Sequence, residues 1–550
     1  MKLALYWHTL RYLKTAQLFG RLWIRLYHPH PNLDVAPDTR PAQGVWQPVA
    51  QRRASWLAEG SFVFLNQPGQ LADLGWDGPQ REKLWRYNQH YFDDLNAKQA
   101  ASRMVWHQNL LQDWVARNPA GVGNGWEPYP TSLRIVNWVK WAAAGNRLTP
   151  TCSHSLAIQA RWLRKRLEWH LLGNHLLANA KALIFAGLFF EGDEANRWLA
   201  KGLTIVAAQL PEQVLADGGN FERSPMYHAL CLEDVLDLIN ASQHWPGLVS
   251  LPTQATWRET ATRMLAWLAT MLHPDGELAL FNDTAHGIAP TAAELVAYAA
   301  RLGVTLPAQC EASQGMVLTQ LKETGYLRLA TSQAVLLIDA APVGPDYLPG
   351  HAHADTLSFE LSVRGQRLVV NGGTSRYGLG PERQRERETA QHSTVEVDGF
   401  SSSEVWGGFR VARRAKPFDL VVQQEPAHCE VTCSHDGYQR LPGRPVHRRR
   451  WDMTGNRLKV QDVVTGQHRE AIARFILHPT VQLEADGPQT WWLNLPGLAV
   501  ARKMARFRAA KGRVRMASAQ YADEFGRSQA TACLEVVLDN GCSDIEILWE

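Results

Sequence analysis

The chain has 550 residues, 57 Lys and Arg against 53 Asp and Glu for a formal charge of +4, and 45% hydrophobic and 20% charged side chains. Its length asks for two to four domains of about 100–200 residues each, and the aromatic-rich, weakly charged composition excludes a disordered chain. Mean hydropathy is −0.27, no apolar run approaches the roughly 18 residues of a membrane span, and the mild positive charge makes no case for nucleic acid while suiting an acidic substrate met by a local basic patch.

Tryptophan is the anomaly: 17 of the 22 precede residue 300, so the chain changes character near there. Residues 1–30 hold Lys2, Arg11, Lys14, Arg21 and Arg25 and no acidic side chain. Leu3, Tyr6, Trp7, Leu10, Leu13 and Leu18 roughly follow helical spacing, which predicts a basic amphipathic helix. Two readings stand: a helix packed on the body of the protein, or an interfacial helix on anionic lipid. The charges are spread through the segment and no small-residue cleavage site follows, so no secretory signal is predicted. The expected location is cytoplasmic or peripheral to a membrane, with the periplasm left open. Residues 1–80 are expected to form this basic helical extension and a linker.

From about Pro130 to Ala300 the period is helical. The segments at 132–144 and 174–190 are strongly apolar, with further blocks at 155–170, 194–210, 226–243, 255–272 and 291–302. Pro211, Asp217-Gly218-Gly219, Pro246-Gly247 and Pro274-Asp275-Gly276 punctuate them. Helices this apolar must pack side by side, which gives an all-α domain over 81–312. After Gly315 the period becomes two. Residues 326–330, 334–338, 357–363, 367–370, 394–397, 458–464, 472–477 and 533–538 read as strands. Short strands with no helices between them predict an antiparallel sandwich over 313–550. The seven cysteines (152, 231, 310, 429, 433, 533 and 542) are scattered and include no CxxC pair, so neither a disulfide framework nor a thiolate metal site is supported.

Four clusters put titratable groups where turns meet apolar elements. Gly173-Asn174-His175 opens a helix, whose free N–H groups and positive dipole welcome an anion; Asn174 is equally well a simple N-cap. Residues 217–228 (DGGNFERSPMYH) gather Asp217, Asn220, Glu222, Arg223, Tyr227 and His228 at a glycine-rich turn. A neighbouring cation there would lower the Tyr227 phenol from about 10 and make it a useful acid or base; a buried tyrosine with a satisfied hydroxyl is the plainer reading. At 350–355 a strand would send His351, His353 and Asp355 to one face, as a metal or acid–base constellation. The turn at 371–377 and the segment 392–395 follow and could fold back onto it, while the RQRERE run at 383–388 reads as a solvated loop. Trp126, Glu127, Tyr129 and Arg134 would line a cleft as aromatic platform and cation, and 447–450 reads as the polar edge of a strand. P-loop, GxGxxG, HExxH and GxSxG motifs have no supporting context here.

Taken together, GNHLLANAKAL (173–183), DGGNFERSPMYH (217–228), GHAHADTLSF (350–359), NGGTSRY (371–377) and QHSTVEVDG (391–399) resemble, in order, the motifs of the heparinase II/III-like polysaccharide lyases. The resemblance covers most of the chain after about residue 80 and implies an N-terminal (α/α) toroid of helical hairpins followed by an antiparallel β-sandwich. Residues 9–29 look like the extension of bacterial members encoded with exopolysaccharide synthesis genes. The implied chemistry is β-elimination at a uronic acid: a carboxylate is neutralised, a base removes the C5 proton, and an acid protonates the leaving glycosidic oxygen. Carried over motif by motif, Asn174 or His175 would neutralise the carboxylate, Tyr227 would be base, acid or both, and His351 would assist proton transfer. Trp126, Tyr129, Arg134 and Glu222 are the expected substrate-binding residues. In some relatives a structural zinc is held by His, Asp and His. The matching positions are His353, Asn371 and His392, and the neutral amide of Asn371 is a poor zinc ligand; the chemistry itself requires no metal.

The leading expectation is therefore a lyase acting on an acidic, uronic-acid-containing polysaccharide. A glycoside hydrolase on the same scaffold would need paired carboxylates from Asp217, Glu222 and Asp355. A non-catalytic glycan-binding protein of a polysaccharide cluster would rely on Trp126 and Arg134. The polymer and the oligomeric state are left open.

Overall fold

The computed structural model describes residues 2–306, 315–496 and 502–549; the expected domain boundary at 312–313 and Cys310 lie outside them. The six cysteines described are unpaired.

Two N-terminal helices, α1 (Lys2–Leu10) and α2 (Thr15–Leu26), stand where one helix was expected. The break comes at Lys14, whose extended backbone turns the chain and whose N–H is taken by Gln17 Oε1 at 3.0 Å. One side of the pair packs on the body: Tyr6 meets Trp406 edge-on at 4.9 Å, and Gln17 Nε2 donates to Tyr347 O at 3.2 Å. The other side leaves Leu3, Trp7, Phe19, Leu22, Trp23 and Leu26 exposed. The expected linker also holds a small antiparallel sheet, Trp56–Ala58, Ser61–Phe64 and Gln67–Gln70. Its second hairpin turns on Leu65-Asn66, both at positive φ, as a two-residue hairpin loop requires.

The helices Pro128–Ala143, Pro150–Lys165, Gly173–Phe189, Asp193–Gln213, Pro225–His244, Leu251–Thr270 and Ala292–Arg301 form the toroid. Pro211 lies in the last turn of its helix instead of ending it, at the cost of one intrahelical hydrogen bond. Trp85, Trp114, Trp138, Trp198 and Trp267 are fully buried, so much of the tryptophan excess is helix-packing core, each ring supplying a large apolar area.

The second half is a sandwich of two antiparallel sheets. One runs Arg513–Tyr521, Gln529–Val537, Ala471–Leu477, Gln366–Val370, Phe359–Val363, Ala334–Asp339, Tyr326–Ala330, Val317–Leu321, with Val395–Val397 also paired to Ala471–Leu477. The other runs Pro417–Glu425, His428–His435, Val446–Thr454, Arg457–Thr465, Cys542–Leu548, Arg502–Lys511, Thr490–Leu495, Gln482–Ala485. Phe359, Phe475, Trp451 and Phe507 fill the space between them.

Three local readings are corrected here. Residues 351–358 form turns, and the strand starts only at Phe359, so His351 and His353 are presented from an irregular segment. The RQRERE run is not a solvated loop: Pro381–Glu386 is a short helix, with Arg383 and Arg387 fully buried because carboxylate and carbonyl partners wait for them inside. Nor is 447–450 an edge. Val446–Thr454 is paired on both sides, and strand alternation turns His447 and Arg449 into the core while Arg448 stays exposed.

Candidate active site

A cleft of about 1100 Å³ lies between the toroid and the sandwich. Asn174, His175, Tyr227, His351, Tyr129 and Glu222 all line it. Trp126 and Arg134 do not. Tyr129 and Arg134 share a helix but are five residues apart, about 140° around its axis, so one faces the cleft and the other the outer packing. Arg134 lies 3.8 Å over Trp114, donates to Gln159 Oε1 at 3.0 Å and is fully buried; Trp126 packs 5.7 Å from Trp114.

The helix Gly173–Phe189 starts from a tight turn in which Leu172 and Gly173 both take positive φ. A Cβ on Gly173 would lie 2.2 Å from Leu348 Cδ2. Leu172 occupies the cap position, so Asn174 is not an N-cap; it sits in the first turn with its side chain free of that duty. His175 Nδ1 is 3.1 Å from Glu168 Oε1. Asn179 fixes Glu168 at side chain and backbone, donating Nδ2 to Oε2 at 3.0 Å and accepting from the Glu168 N–H at 2.8 Å. Burial works against the imidazolium, but Glu168 outweighs it and raises the His175 pKa above its ordinary value. His175 is thus a cation-biased group at a helix N-terminus, facing the cleft.

The helix Pro225–His244 is capped by Ser224, whose hydroxyl accepts from the Tyr227 N–H at 3.2 Å. Tyr227 Oη is 3.0 Å from Tyr377 Oη, and its ring stacks at 3.9 Å on His351. The expected drop in the Tyr227 pKa is reversed: burial first, and then Tyr377, push the phenol well above 10. The cation that would have lowered it turns elsewhere, since Arg223 donates to Thr324 O and Phe221 O. His228 likewise faces inward, to Met264 O.

His351 Nδ1 lies 2.8 Å from Asp283 Oδ2. A carboxylate only accepts, so Nδ1 carries the proton and Nε2 is turned to the cleft, 3.7 Å from Glu222 Oε2. Burial would raise the Asp283 carboxyl, but Arg383, His351 and His353 together hold it well below the usual range; Arg383 bonds both its oxygens and His353 Nε2 lies 2.7 Å from Oδ1. Glu222 is the opposite case. Both its oxygens are buried without a hydrogen-bond partner, and burial raises its pKa, which favours the neutral carboxyl. Asp217 and Asp355 serve the framework instead: Asp217 accepts from Thr324 N at 2.7 Å and Asp355 from Asn282 N at 3.1 Å.

The residues matched to a zinc site do not fit one. His353 Nδ1 and His392 Nε2 are 3.3 Å apart, but Asn371 Oδ1 already accepts from Ser393 N, leaving its Nδ2 buried and unpartnered. Burial first, opposed by Asp283, and then the nearby Arg383 and Arg387 bring the His353 pKa down to about 4. Among the described residues no group of three or more His, Cys, Asp or Glu could hold a metal ion.

Four site residues escaped the sequence reading. Asp283 lies between the helical blocks in a segment given no role, and its only mark is the polar Asn282-Asp283-Thr284 after an apolar run. Tyr377 lies inside a quoted motif without an assigned role. Glu168 stands seven residues before His175, and Arg383 was hidden by its charged neighbours. Leu172, Arg223 and Asn282, all non-glycine residues at positive φ, adjoin Gly173, Glu222 and Asp283, and such strain gathers at functional sites.

The descriptions "Heparinase II/III N-terminus" and "Heparinase II/III-like, C-terminal" match residues 96–300 and 314–548. A heparin-sulfate lyase of Pedobacter heparinus is 25% identical over 350 residues, covering 58% of this chain and 51% of that protein. One from Bacteroides stercoris is 23% identical over 277 residues, covering 46% of this chain and 40% of its own. The chain thus spans about half or less of the curated relatives it matches. A crystal structure of heparinase III superposes with a TM-score of 0.66 at 16% identity, over 86% of this chain and 79% of that one, a likeness of fold.

Proposed function

Because the chain belongs to the heparinase II/III-like family, we propose that it is a polysaccharide lyase that cuts an acidic, uronic-acid-containing polymer by β-elimination. The observation that carries this reading is the meeting, in one cleft, of an anion-receiving group with a proton-transfer group: His175, held on Glu168, and Tyr227 with His351, the latter held on Asp283. Asn174 and His175 take the uronate carboxylate and stabilise the charge that develops as C5 is deprotonated. His351 Nε2, with its Nδ1 proton held on Asp283, is the base. Tyr227, whose phenol keeps its proton, is the acid that protonates the glycosidic oxygen as the C4–O bond breaks and the C4–C5 double bond forms. His351 gains one proton and Tyr227 loses one. Tyr377, whose Oη lies 3.0 Å from Tyr227 Oη, holds that hydroxyl in place, and proton exchange with water returns His351 Nε2 and Tyr227 to their starting states once product leaves. Glu222, as a neutral carboxyl, donates to the substrate rather than repelling it.

The test is a panel of uronic-acid polymers, an exopolysaccharide among them, assayed for the ultraviolet absorbance of the unsaturated product, with Tyr227→Phe expected to abolish it. Cleavage without that absorbance would establish a hydrolase, a reading weakened because only Glu222 of its three candidate carboxylates reaches the cleft. The outer face of α1 and α2 joins exposed Trp7, Phe19, Leu22 and Trp23 to a segment without acidic residues, and is our candidate contact with anionic lipid. Flotation with phosphatidylglycerol vesicles, lost in Phe19→Ser with Trp23→Ser, tests it; equal flotation of the variant rejects it.

A further inference from the structure

The inner face of the N-terminal hairpin belongs to the cleft. Tyr6, Thr9, Leu10, Leu13, Gln17 and Arg21 line it, although residues 1–95 precede the family match. Gly20 is what lets α2 come this close: a Cβ there would lie 2.7 Å from His170 N and 2.9 Å from Trp169 C. A glycine inside a helix is less favourable than alanine, and here the contact requires it. The next residue, Arg21, is thereby set beside His170 at the cleft wall.

Arg410 approaches from the sandwich side, on the short strand Arg410–Val411. Its guanidinium stacks 4.8 Å over Trp406 and 5.7 Å from Tyr6, which pack on each other. The two arginines are near enough that Arg410 depresses the Arg21 pKa, after burial. Among the described residues neither forms an ion pair with a carboxylate, whereas Lys14 and Arg414 close by bond Glu212 and Asp346. Burial lowers the His170 pKa, Glu168 opposes this, and His175, Arg21 and Arg166 lower it further. Arg410, Arg21, His170 and His175 thus bring basic groups to the cleft from both the sandwich and the helical side.

The geometry points to a second anion subsite at the hairpin end of the cleft, in which Arg21 and Arg410 bind a carboxylate or sulfate group on a sugar other than the one being cleaved. This rests on the lyase reading for the polymer's class, and goes beyond it in assigning the hairpin to substrate recognition. Two unpaired guanidiniums aimed at one space repel each other, and an anion between them relieves that repulsion. Arginine is suited to it by its bidentate fork. Only a chain long enough to reach from His175 to the hairpin would use the subsite.

The test measures calorimetric binding in the Tyr227→Phe background, so that nothing is cut. The probes are tetrasaccharides and decasaccharides of heparan sulfate and of hyaluronan, the first carrying sulfate and carboxylate, the second carboxylate alone. Arg21→Ala with Arg410→Ala is expected to weaken decasaccharide binding about tenfold, as two exposed ion pairs would. The same change should leave tetrasaccharides unaffected and flatten the salt dependence. Loss for both decasaccharides assigns the subsite to carboxylate, and loss for heparan sulfate alone assigns it to sulfate. Equal effects on short and long probes, no effect on either, or no binding of any probe without the arginine substitutions overturns the inference. Arginine-dependent binding in a chain whose wild type yields no unsaturated product would overturn the lyase reading and leave this one standing.

Discussion

The protein contains the same four-residue arrangement twice. In the first, Asp283 holds His353 Nε2 at 2.7 Å and the guanidinium of Arg383, while His353 Nδ1 faces His392 Nε2 at 3.3 Å. In the second, Asp462 holds His447 Nε2 at 2.8 Å and Arg449 Nε at 2.7 Å, while His447 Nδ1 faces His435 Nε2 at 3.2 Å. Both are buried, and both hold their aspartates well below the ordinary carboxylate range against the opposing effect of burial. The difference is one further residue. Asp283 has a second oxygen on His351, whose side chain is 13% exposed and stacked under Tyr227, whereas every partner of Asp462 lies inside the sandwich. A His–Asp–Arg cluster is framework by default, and the proposed mechanism gives it a chemical role only through the one arm that reaches a cleft.

The largest effect expected of that contrast is on turnover. Tyr227→Phe and His351→Gln should each lower kcat by about 10²–10⁴-fold, the range for a lost general acid or base, with unchanged circular dichroism; activity within threefold of wild type would break the assignment. Next comes stability. Asp462→Ala strands buried Arg449 and should cost roughly 3–5 kcal/mol, read by urea denaturation, while kcat/KM per folded molecule stays the same. Asp283→Ala should lose a similar amount of stability and the activity as well. If Asp462→Ala also removed activity from the folded fraction, the two clusters would not be separable in the way the cleft implies.

The two clusters also mark what a linear reading can reach. The motifs around Asn174, Tyr227 and His351 are each contiguous in sequence, so their candidacy for one cleft is legible there, and so is the change of period that separates toroid from sandwich. Burial of Trp126 and Arg134 is not legible, because it depends on which side of Pro128–Ala143 the outer helices cover. Asp283 is invisible for a different reason: its partners stand 68 and 100 residues away, and nothing local distinguishes it from a turn aspartate. The sign of the Tyr227 shift depends on its burial and on Tyr377, which stands 150 residues away in sequence, and neither is written in the local motif.

Smaller effects are expected from pH. His175 has a raised pKa, so its charge persists below that value and is lost as pH rises through it; kcat/KM should fall on the alkaline side. Glu168→Gln keeps a hydrogen bond but removes the charge, moving that limb to lower pH and cutting kcat/KM there about tenfold, the scale of a hydrogen bond to a charged group. An unmoved limb would detach His175 from the carboxylate. The buried His353 behaves oppositely. Its folded value of about 4 lies below the ordinary 6.5, so the unfolded chain binds more protons between the two, and stability should decline as pH falls through that window.

The smallest expected effect is from metal, and the duplicate cluster supplies the control. Two imidazole nitrogens 3.3 Å apart are compatible with a shared zinc, but the pair in the second cluster is separated by a similar 3.2 Å, and its aspartate is already held by His447 and Arg449. One N–H···N hydrogen bond accounts for both pairs, with the carboxylate fixing the tautomer of the nearer ring. Elemental analysis of the purified protein should therefore find well below one zinc per chain, and prolonged chelation should leave melting temperature and turnover unchanged. Stoichiometric zinc, lost with His392→Ala and retained with His435→Ala, would show that the first pair is a metal site after all and that the likeness between the clusters is only geometric. Asn371→Asp sharpens the same point: a carboxylate at that position supplies the missing anionic ligand, so zinc binding gained by this variant and absent from the wild type would identify the amide as the residue that keeps the site empty.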